Sequence, residues 1–88
     1  MKKKNYFCYL ARCSDNSLYT GYCVDIKERE LKHNAGEGAR YTRSRLPIKI
    51  VYWERFKTKS KAMKREAQVK RWVKTKKESL IKNKTKPL

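Results

Sequence analysis

The sequence predicts an α+β domain in which strands and helices follow the order β-β-α-β-α-α. Near the start, two aromatic and apolar runs flank a polar turn, and a capped helical segment comes after them. A third run of strand-forming residues then precedes two basic segments with helical periodicity. Because 88 residues suffice for one modest core and not for two, we expect a single domain over residues 1–88. Its core is expected over about residues 6–73, followed by a basic C-terminal helix or tail over 74–88.

The first two strands form a predicted hairpin. Tyr6 to Cys13 is a continuous aromatic and apolar run, as expected for a strand that is buried on both faces. The segment Ser14-Asp15-Asn16-Ser17 has the composition of a turn, because Asp and Asn bond their own backbone and Asn tolerates a positive φ. The chain then returns as a second strand from Leu18 to Tyr22.

The length of the hairpin loop decides which tyrosines share a face of the sheet. With a four-residue loop, Tyr9 faces Tyr22 and Tyr19 points to the opposite side. With a three-residue loop, which is a common length, Tyr9 and Tyr19 lie on the same face. The sequence permits both registers, and shared chemistry by the two tyrosines requires the second.

A helix is predicted to begin after Asp25, a good N-cap, with Glu28 as its partner in a capping box. Gly36 can take the left-handed conformation that ends it. Helical spacing places on one side of it Ile26, Arg29, Glu30 and His33. Since most of that side is polar, we expect it to face a polar cleft. Arg29 and His33, one turn apart, would combine an anion clamp with a titratable ring, and a solvated helix face is the alternative.

The second half of the chain is predicted to contain one strand and two helices. After a loop or broken helix over 36–46, Pro47 opens a strand from Ile48 to Phe56 that we expect not to be fully enclosed by neighbours. Helices are predicted from Ser60 to Val73 and from Thr75 to Ile81.

Glu66 lies in the middle of the apolar arc of the helix over Ser60 to Val73, an arc formed by Ala62, Val69 and Val73. Burying an unpaired carboxylate is costly, so Glu66 is expected either to pair with a cation or to bind a metal. Helical position alone favours the pairing. A single carboxylate nevertheless suffices for Mg²⁺, which keeps several waters and takes its remaining ligands from phosphate oxygens.

Positive charge dominates the composition. Lys and Arg number 25 against 8 acidic residues, a net charge of +17, which attracts polyanions, with nucleic acid as the first expectation. The segment Arg55 to Leu88 alone holds 14 Lys and Arg against 2 acids, a net +12, and is most simply a phosphate-facing surface. Its candidates for nucleic-acid binding are Lys64 and Arg71.

A basic loop with one aromatic residue provides further candidates, namely Arg40, Tyr41, Thr42, Arg43 and Arg45. Its composition suits contacts to the phosphate backbone together with base stacking. A generic charged loop is the alternative.

Three cysteines, Cys8, Cys13 and Cys23, occur without a CxxC motif or a histidine at zinc spacing. They predict apolar thiols in a reducing compartment. No apolar run approaches the roughly 20 residues of a membrane span, and the first run is too short for a signal peptide. We therefore expect a cytoplasmic protein without a membrane partner.

Taken in order, several short motifs resemble the GIY-YIG nuclease superfamily. They are Phe7-Cys8-Tyr9, Leu18-Tyr19-Thr20-Gly21, Asp25 with Arg29 and His33, the segment from His33 to Arg43 (HNAGEGARYTR), and Arg65-Glu66-Ala67. The sequence is most similar to small, stand-alone bacterial members related to the nuclease domain of the excision-repair incision subunit. The resemblance covers the chain from about Tyr6 to Val73.

The resemblance implies a three-stranded antiparallel sheet flanked by helices and hydrolysis of DNA phosphodiester bonds with one divalent cation, Mg²⁺ or Mn²⁺. It implies that Tyr19 is the general base or water-orienting group, supported by Tyr9, and that Arg29 clamps the scissile phosphate. His33 stands where relatives carry Tyr or His, and Glu66 would be the metal ligand. We expect low sequence specificity, with branched, damaged or single-stranded DNA as possible substrates in repair or recombination, no small-molecule cofactor, and a monomer or weak dimer.

Two departures from the family pattern favour an alternative, a DNA-binding module that keeps the fold without cleavage. Tyr22 follows the motif glycine, where many relatives carry Lys, so an obvious cation for activating a phenol is missing. Glu30 stands beside Arg29 where an apolar residue is usual, and it could compete for the arginine.

Overall fold

Three strands and four helices are formed by residues 4–85, the part of the chain that the computed structural model describes. The elements are β1 (Tyr6–Arg12), β2 (Leu18–Cys23), α1 (Ile26–Asn34), α2 (Arg40–Arg43), β3 (Lys49–Phe56), α3 (Lys59–Lys70) and α4 (Lys74–Thr85). The predicted α+β order is confirmed, and the segment expected to be a loop or broken helix contains the single-turn helix α2.

The sheet is antiparallel with the strand order β2-β1-β3. The continuous apolar run of β1 is explained by its central position, and β3 is an edge strand, in agreement with the expectation that neighbours do not fully enclose it. In the hairpin, Tyr9 pairs with Gly21 and Ala11 pairs with Tyr19. This is the register of the three-residue loop, so Tyr9 and Tyr19 lie on the same face of the sheet.

Each face of the sheet has its own apolar cluster. The face covered by α1 buries Tyr9, Ala11, Cys13, Cys23, Ile48 and Ile50. The face covered by α3 and α4 buries Leu10, Leu18, Tyr52, Val69 and Ile81. The three cysteines are free thiols and are buried, as expected. No helix within residues 4–85 is long and apolar enough to cross a bilayer.

Helix α1 begins and ends as its sequence predicts. The Asp25 side chain accepts a hydrogen bond from the Glu28 N–H at 2.9 Å, and Gly36 follows the helix with a φ of +80°. Two side chains then hold α1 against β3 and the residue that precedes it. Glu30 accepts from the Ile50 N–H at 2.7 Å, and Asn34 bonds both backbone groups of Ile48. The Glu30 carboxylate is therefore engaged by the β3 backbone.

The two C-terminal helices differ from their predicted bounds. Because α3 ends at Lys70, Val73 lies beyond it and is 68% exposed, so its assignment to the apolar arc was wrong. Helix α4 extends to Thr85 instead of Ile81, and residues 86–88 of the predicted basic tail lie outside the described residues. Arg12 of β1 fastens α4 to the sheet, because it donates two hydrogen bonds of 2.7 Å to Glu78.

Candidate active site

The two motif tyrosines meet on the α1 face of the sheet. The ring centroids of Tyr9 and Tyr19 are 6.3 Å apart, and the Tyr9 ring lies across Gly21 of the neighbouring strand. A Cβ added at Gly21 would stand 2.6 Å from Tyr9 Oη and 3.0 Å from Tyr19 Cε2. Glycine is therefore required at this position for steric reasons, because a side chain would displace Tyr9.

His33 connects the tyrosine pair to α1 and α2 through a buried chain of hydrogen bonds. Tyr9 Oη lies 2.8 Å from His33 Nε2, and His33 Nδ1 lies 2.8 Å from Thr42 Oγ1. The Thr42 hydroxyl donates its single proton to the Ala39 carbonyl at 2.9 Å, so it must accept from Nδ1–H. We accordingly assign the Nδ1–H tautomer to His33, and Tyr9 donates its proton to the bare Nε2.

The protonation states of this chain follow from its burial. Burial, and then the neighbouring Tyr19, raise the pKa of the Tyr9 hydroxyl, with Arg29 opposing. Burial, and then the positive charge of Arg29, lower the pKa of His33. At neutral pH both groups are uncharged. Tyr9 is therefore a hydrogen-bond donor that fixes the position of His33, and it cannot act as a base.

The close packing around His33 also explains Gly38 and Thr42. A Cβ at Gly38 would lie 2.7 Å from His33 Cε1, and Nδ1 would be closer still. Thr42 is fully buried, because α2 packs its inner side against the imidazole. The prediction that Thr42 binds nucleic acid is therefore wrong. Its hydroxyl orients His33, and its side chain is buried and cannot contact DNA.

Tyr19 is half-buried and lies among aromatic and cationic groups. Its ring is 5.5 Å from that of His33 and stacks on Tyr41 at 6.0 Å. Lys70 Nζ of α3 lies 5.9 Å from the Tyr19 ring centroid. Since α3 covers the opposite face, Lys70 reaches Tyr19 around the edge strand β2, so the site draws on elements from both faces of the sheet.

The charges of Arg29 and Glu66 both act on the Tyr9 hydroxyl, in opposite directions. Arg29 lines a surface cleft of about 380 Å³ with Cys23 and Lys32 among its neighbours. Its charge acts on the pKa values of both Tyr9 and His33. The Glu66 side chain is 18% exposed, and its Oε2 lies 3.7 Å from Lys70 Nζ. The cation pairing that helical position favoured is therefore present.

Glu66 is held in place by a neighbouring ion pair on the same helix. Arg65 donates to both oxygens of Glu54, at 2.9 and 3.1 Å. Burial alone would raise the pKa of Glu54, but the hydrogen bonds from Arg65 and Tyr52 outweigh it and keep this pKa below its ordinary value. The charged pair anchors α3 to β3 and thereby fixes the turn that carries Glu66.

The donor set around Glu66 determines which metal could bind there. Within residues 4–85, no group of three or more His, Cys, Asp or Glu side chains is placed to hold a metal ion. A single carboxylate suits a hard cation that keeps its waters and shares oxygens with a phosphate, as Mg²⁺ does. Glu66 fits that role and does not fit a closed transition-metal site.

The other candidates for nucleic-acid binding differ in availability. Exposed side chains belong to Arg40, Tyr41, Arg43, Lys64 and Arg71. Arg45 is occupied within the chain, because it pairs with Asp15 at 3.0 Å and lies 3.9 Å over the Tyr41 ring.

Sequence reasoning missed Lys70, Glu54 and the role of Gly38. A signal existed for Lys70, which stands one helical turn after Glu66 on the same side of the helix. No local signal marked Glu54, because its partner Arg65 lies on another element, or Gly38, because its role depends on how the His33 ring packs against it.

The comparisons with known proteins agree with this architecture. Residues 5–87 match the GIY-YIG catalytic domain family. A UPF0213 protein of Staphylococcus aureus is 50% identical over 78 residues, covering 89% of this chain and 95% of the relative. The solution structure of a UPF0213 protein from Bacillus halodurans has a TM-score of 0.60 at 42% identity, covering 94% of this chain and 88% of that one. An E. faecalis protein has a TM-score of 0.60 at 34% identity, covering 99% and 94%.

Proposed function

Since this chain belongs to the GIY-YIG nuclease superfamily, we propose that it is a divalent-metal-dependent endonuclease that hydrolyses phosphodiester bonds in DNA. The proposal includes low sequence specificity, because exposed Lys and Arg side chains contact phosphates, which carry no sequence information. It also includes a cytoplasmic location and a role in DNA repair or recombination.

The observation that carries the proposal is the hairpin register. Pairing Tyr9 with Gly21 and Ala11 with Tyr19 brings both motif tyrosines to the face where His33 lies. A shift by one residue would turn Tyr19 to the other side of the sheet. The net charge of +17 supports a polyanionic substrate.

Phosphodiester hydrolysis needs in-line positioning and neutralisation of charge more than covalent chemistry by the protein. In the proposed mechanism, Arg29 holds the scissile phosphate through its forked donors. Tyr19 orients the attacking water, with the ammonium of Lys70 supplying the nearby positive charge that the chain lacks after Gly21. A divalent ion held by Glu66 would neutralise the charge that develops on the phosphate.

Tyr9, His33 and Thr42 act as positioning residues in this scheme. Their buried chain fixes the Tyr9 ring over Gly21 and fixes the imidazole edge against Tyr19. Because the pKa of Tyr9 is raised and that of His33 is lowered, the chain adds no charge near the reacting phosphate.

The proposal is tested by incubating the purified protein with supercoiled plasmid, forked DNA and single-stranded DNA, with and without Mg²⁺ or Mn²⁺. We expect metal-dependent nicking that is lost in Glu66→Ala and Arg29→Ala. A matched control is Glu37→Ala, which removes an exposed carboxylate outside the lining of the cleft that contains Arg29. Nicking that survives in both site variants would overturn the assignment.

A non-catalytic DNA-binding module is the second candidate, and one observation favours it. The ammonium of Lys70 lies 3.7 Å from Glu66, where the metal would bind. The Lys70 side chain is 55% exposed, and ion pairs that solvent screens are worth about 1 kcal/mol at most, so a divalent ion with a phosphate should displace Lys70. If no DNA form is cut while salt-sensitive binding persists, the second candidate is the correct one.

A further inference from the structure

A pocket of about 420 Å³ lies along the free edge of β2, next to the site described above. Its lining consists of Leu18, Tyr19, Thr20, Ala39, Tyr41, Lys70 and Lys77.

These residues come from β2, from α2 and the residue before it, from the end of α3 and from the first half of α4. Tyr19 belongs both to this pocket and to the candidate active site, so a molecule in the pocket would lie beside the reacting group.

Lys77 is the unusual member of the lining. It is only 9% exposed, and within residues 4–85 no carboxylate lies within ion-pair distance of its ammonium group. Burial, and then the charge of Lys70, lower the pKa of Lys77. Because the Lys77 side chain is largely buried while its ammonium group has no counter-ion among residues 4–85, this position favours an anion that arrives from outside the chain.

Thr20 adds an independent observation on the same wall. Its side chain is buried, and within the described part of the chain its hydroxyl has no hydrogen-bond partner. Buried hydroxyl groups are normally paired, because an unsatisfied one loses its bonds to water without replacement. The pocket thus combines two ammonium groups with an unsatisfied hydroxyl donor.

We propose that this pocket is a phosphate subsite, which holds the phosphate of the nucleotide next to the scissile bond on the substrate strand. The proposal rests on the proposed function, because it treats Tyr19 as the neighbouring catalytic group. Lys77 and Lys70 supply the positive charge, and the apolar part of the wall, Leu18 and Ala39, accommodates the adjoining sugar.

The test compares Lys77→Met with Lys76→Met, which removes the same charge from the preceding position of α4. Lys76 is exposed and lies over the Trp72 ring at 4.2 Å, outside the pocket lining. Binding of a short single-stranded DNA is measured without divalent metal, so that no cleavage can occur. We expect Lys77→Met to weaken binding about tenfold, as for a lost charge-assisted hydrogen bond, and Lys76→Met to weaken it much less.

Thermal unfolding separates a binding role from a structural one. Because Lys77 has no partner within the described residues, Lys77→Met is expected to be at least as stable as the unaltered protein. A large loss of stability in Lys77→Met, or equal binding by the two variants, would overturn the proposal.

An NMR titration of the unaltered protein provides a measurement that needs no variant. Inorganic phosphate and the short DNA are both expected to shift the amide signals of Thr20 and Ala39. Shifts caused by phosphate and not by DNA would contradict a substrate subsite, as would no shift with either probe. These measurements are made without divalent metal, so their outcome does not depend on cleavage. If the protein binds DNA in this pocket but cuts no DNA in the presence of metal, the proposed function is refuted and the phosphate subsite is not.

Discussion

Replacing Thr42 by valine tests the buried hydrogen-bonded chain that positions Tyr9. Valine keeps the shape of threonine but removes the hydroxyl that lies 2.8 Å from His33 Nδ1 and 2.9 Å from the Ala39 carbonyl. If His33 keeps its tautomer, its Nδ1–H is left without a partner. If the proton moves to Nε2, Tyr9 can no longer donate to that nitrogen. One buried donor is left unsatisfied in either case.

The expected cost follows from that unsatisfied group. A buried polar group without a partner costs about 1–3 kcal/mol, so we expect Thr42→Val to lower the free energy of unfolding by about 2 kcal/mol. For a domain of this size that corresponds to a fall in Tm of roughly 10 °C. Thr42→Ser, which keeps the hydroxyl, should lose much less.

Two measurements check this prediction. Thermal unfolding by circular dichroism compares the valine and serine variants, and the ¹⁵N chemical shifts of the imidazole report the tautomer of His33. We expect the Nδ1–H tautomer in the unaltered protein. An Nε2–H tautomer there, or equal Tm values for the two variants, would refute the reasoning about the chain.

Two further predictions concern the same side chains. Gly21→Ala should displace Tyr9, because the new Cβ would lie 2.6 Å from Tyr9 Oη, and we expect a loss of about 1–3 kcal/mol in stability together with reduced DNA nicking. The pKa of His33 is lowered in the folded state, so the unfolded chain binds a proton more readily. The contribution of neutral His33 to stability should be complete above about pH 6.5 and should fall as the pH is lowered below that value. Tm values measured between about pH 7.5 and 5.5 check this.

Matched variants control both measurements. Gly36→Ala is strained by its φ of +80°, but its Cβ would meet nothing within 4 Å, so it should lose stability without losing nicking. Equal nicking by the Gly21 and Gly36 variants would contradict the steric argument. His33 is the single histidine of the chain, so His33→Gln should flatten the pH dependence, and an unchanged profile would count against the assignment.

Local sequence signals predicted much of the fold. The N-cap at Asp25 and the glycine cap at Gly36 act through neighbouring backbone groups, so they could be recognised without tertiary information. The continuous apolar run of β1 indicated its central position. Helix ends were harder to predict, because the apolar spacing continues to Val73 although α3 ends at Lys70.

The site was predicted only where its residues follow a local pattern. The side of α1 that carries His33 follows from helical spacing, and the two hairpin registers could be enumerated. Thr42 was misassigned because a threonine in a basic loop has no local feature that predicts burial. Its role arises from the packing of α2 against His33 of α1, and that of Lys77 arises from the approach of α4 to β2.

The central claim is that Tyr19, Arg29 and Glu66 form one site that holds a divalent ion and a phosphate. Paramagnetic broadening of amide NMR signals by Mn²⁺ tests this claim most directly. The account predicts broadening centred on Glu66 and Tyr19, stronger when a DNA strand supplies phosphate oxygens and absent in Glu66→Gln. Broadening centred on another carboxylate such as Glu78, or unchanged in Glu66→Gln, would contradict it.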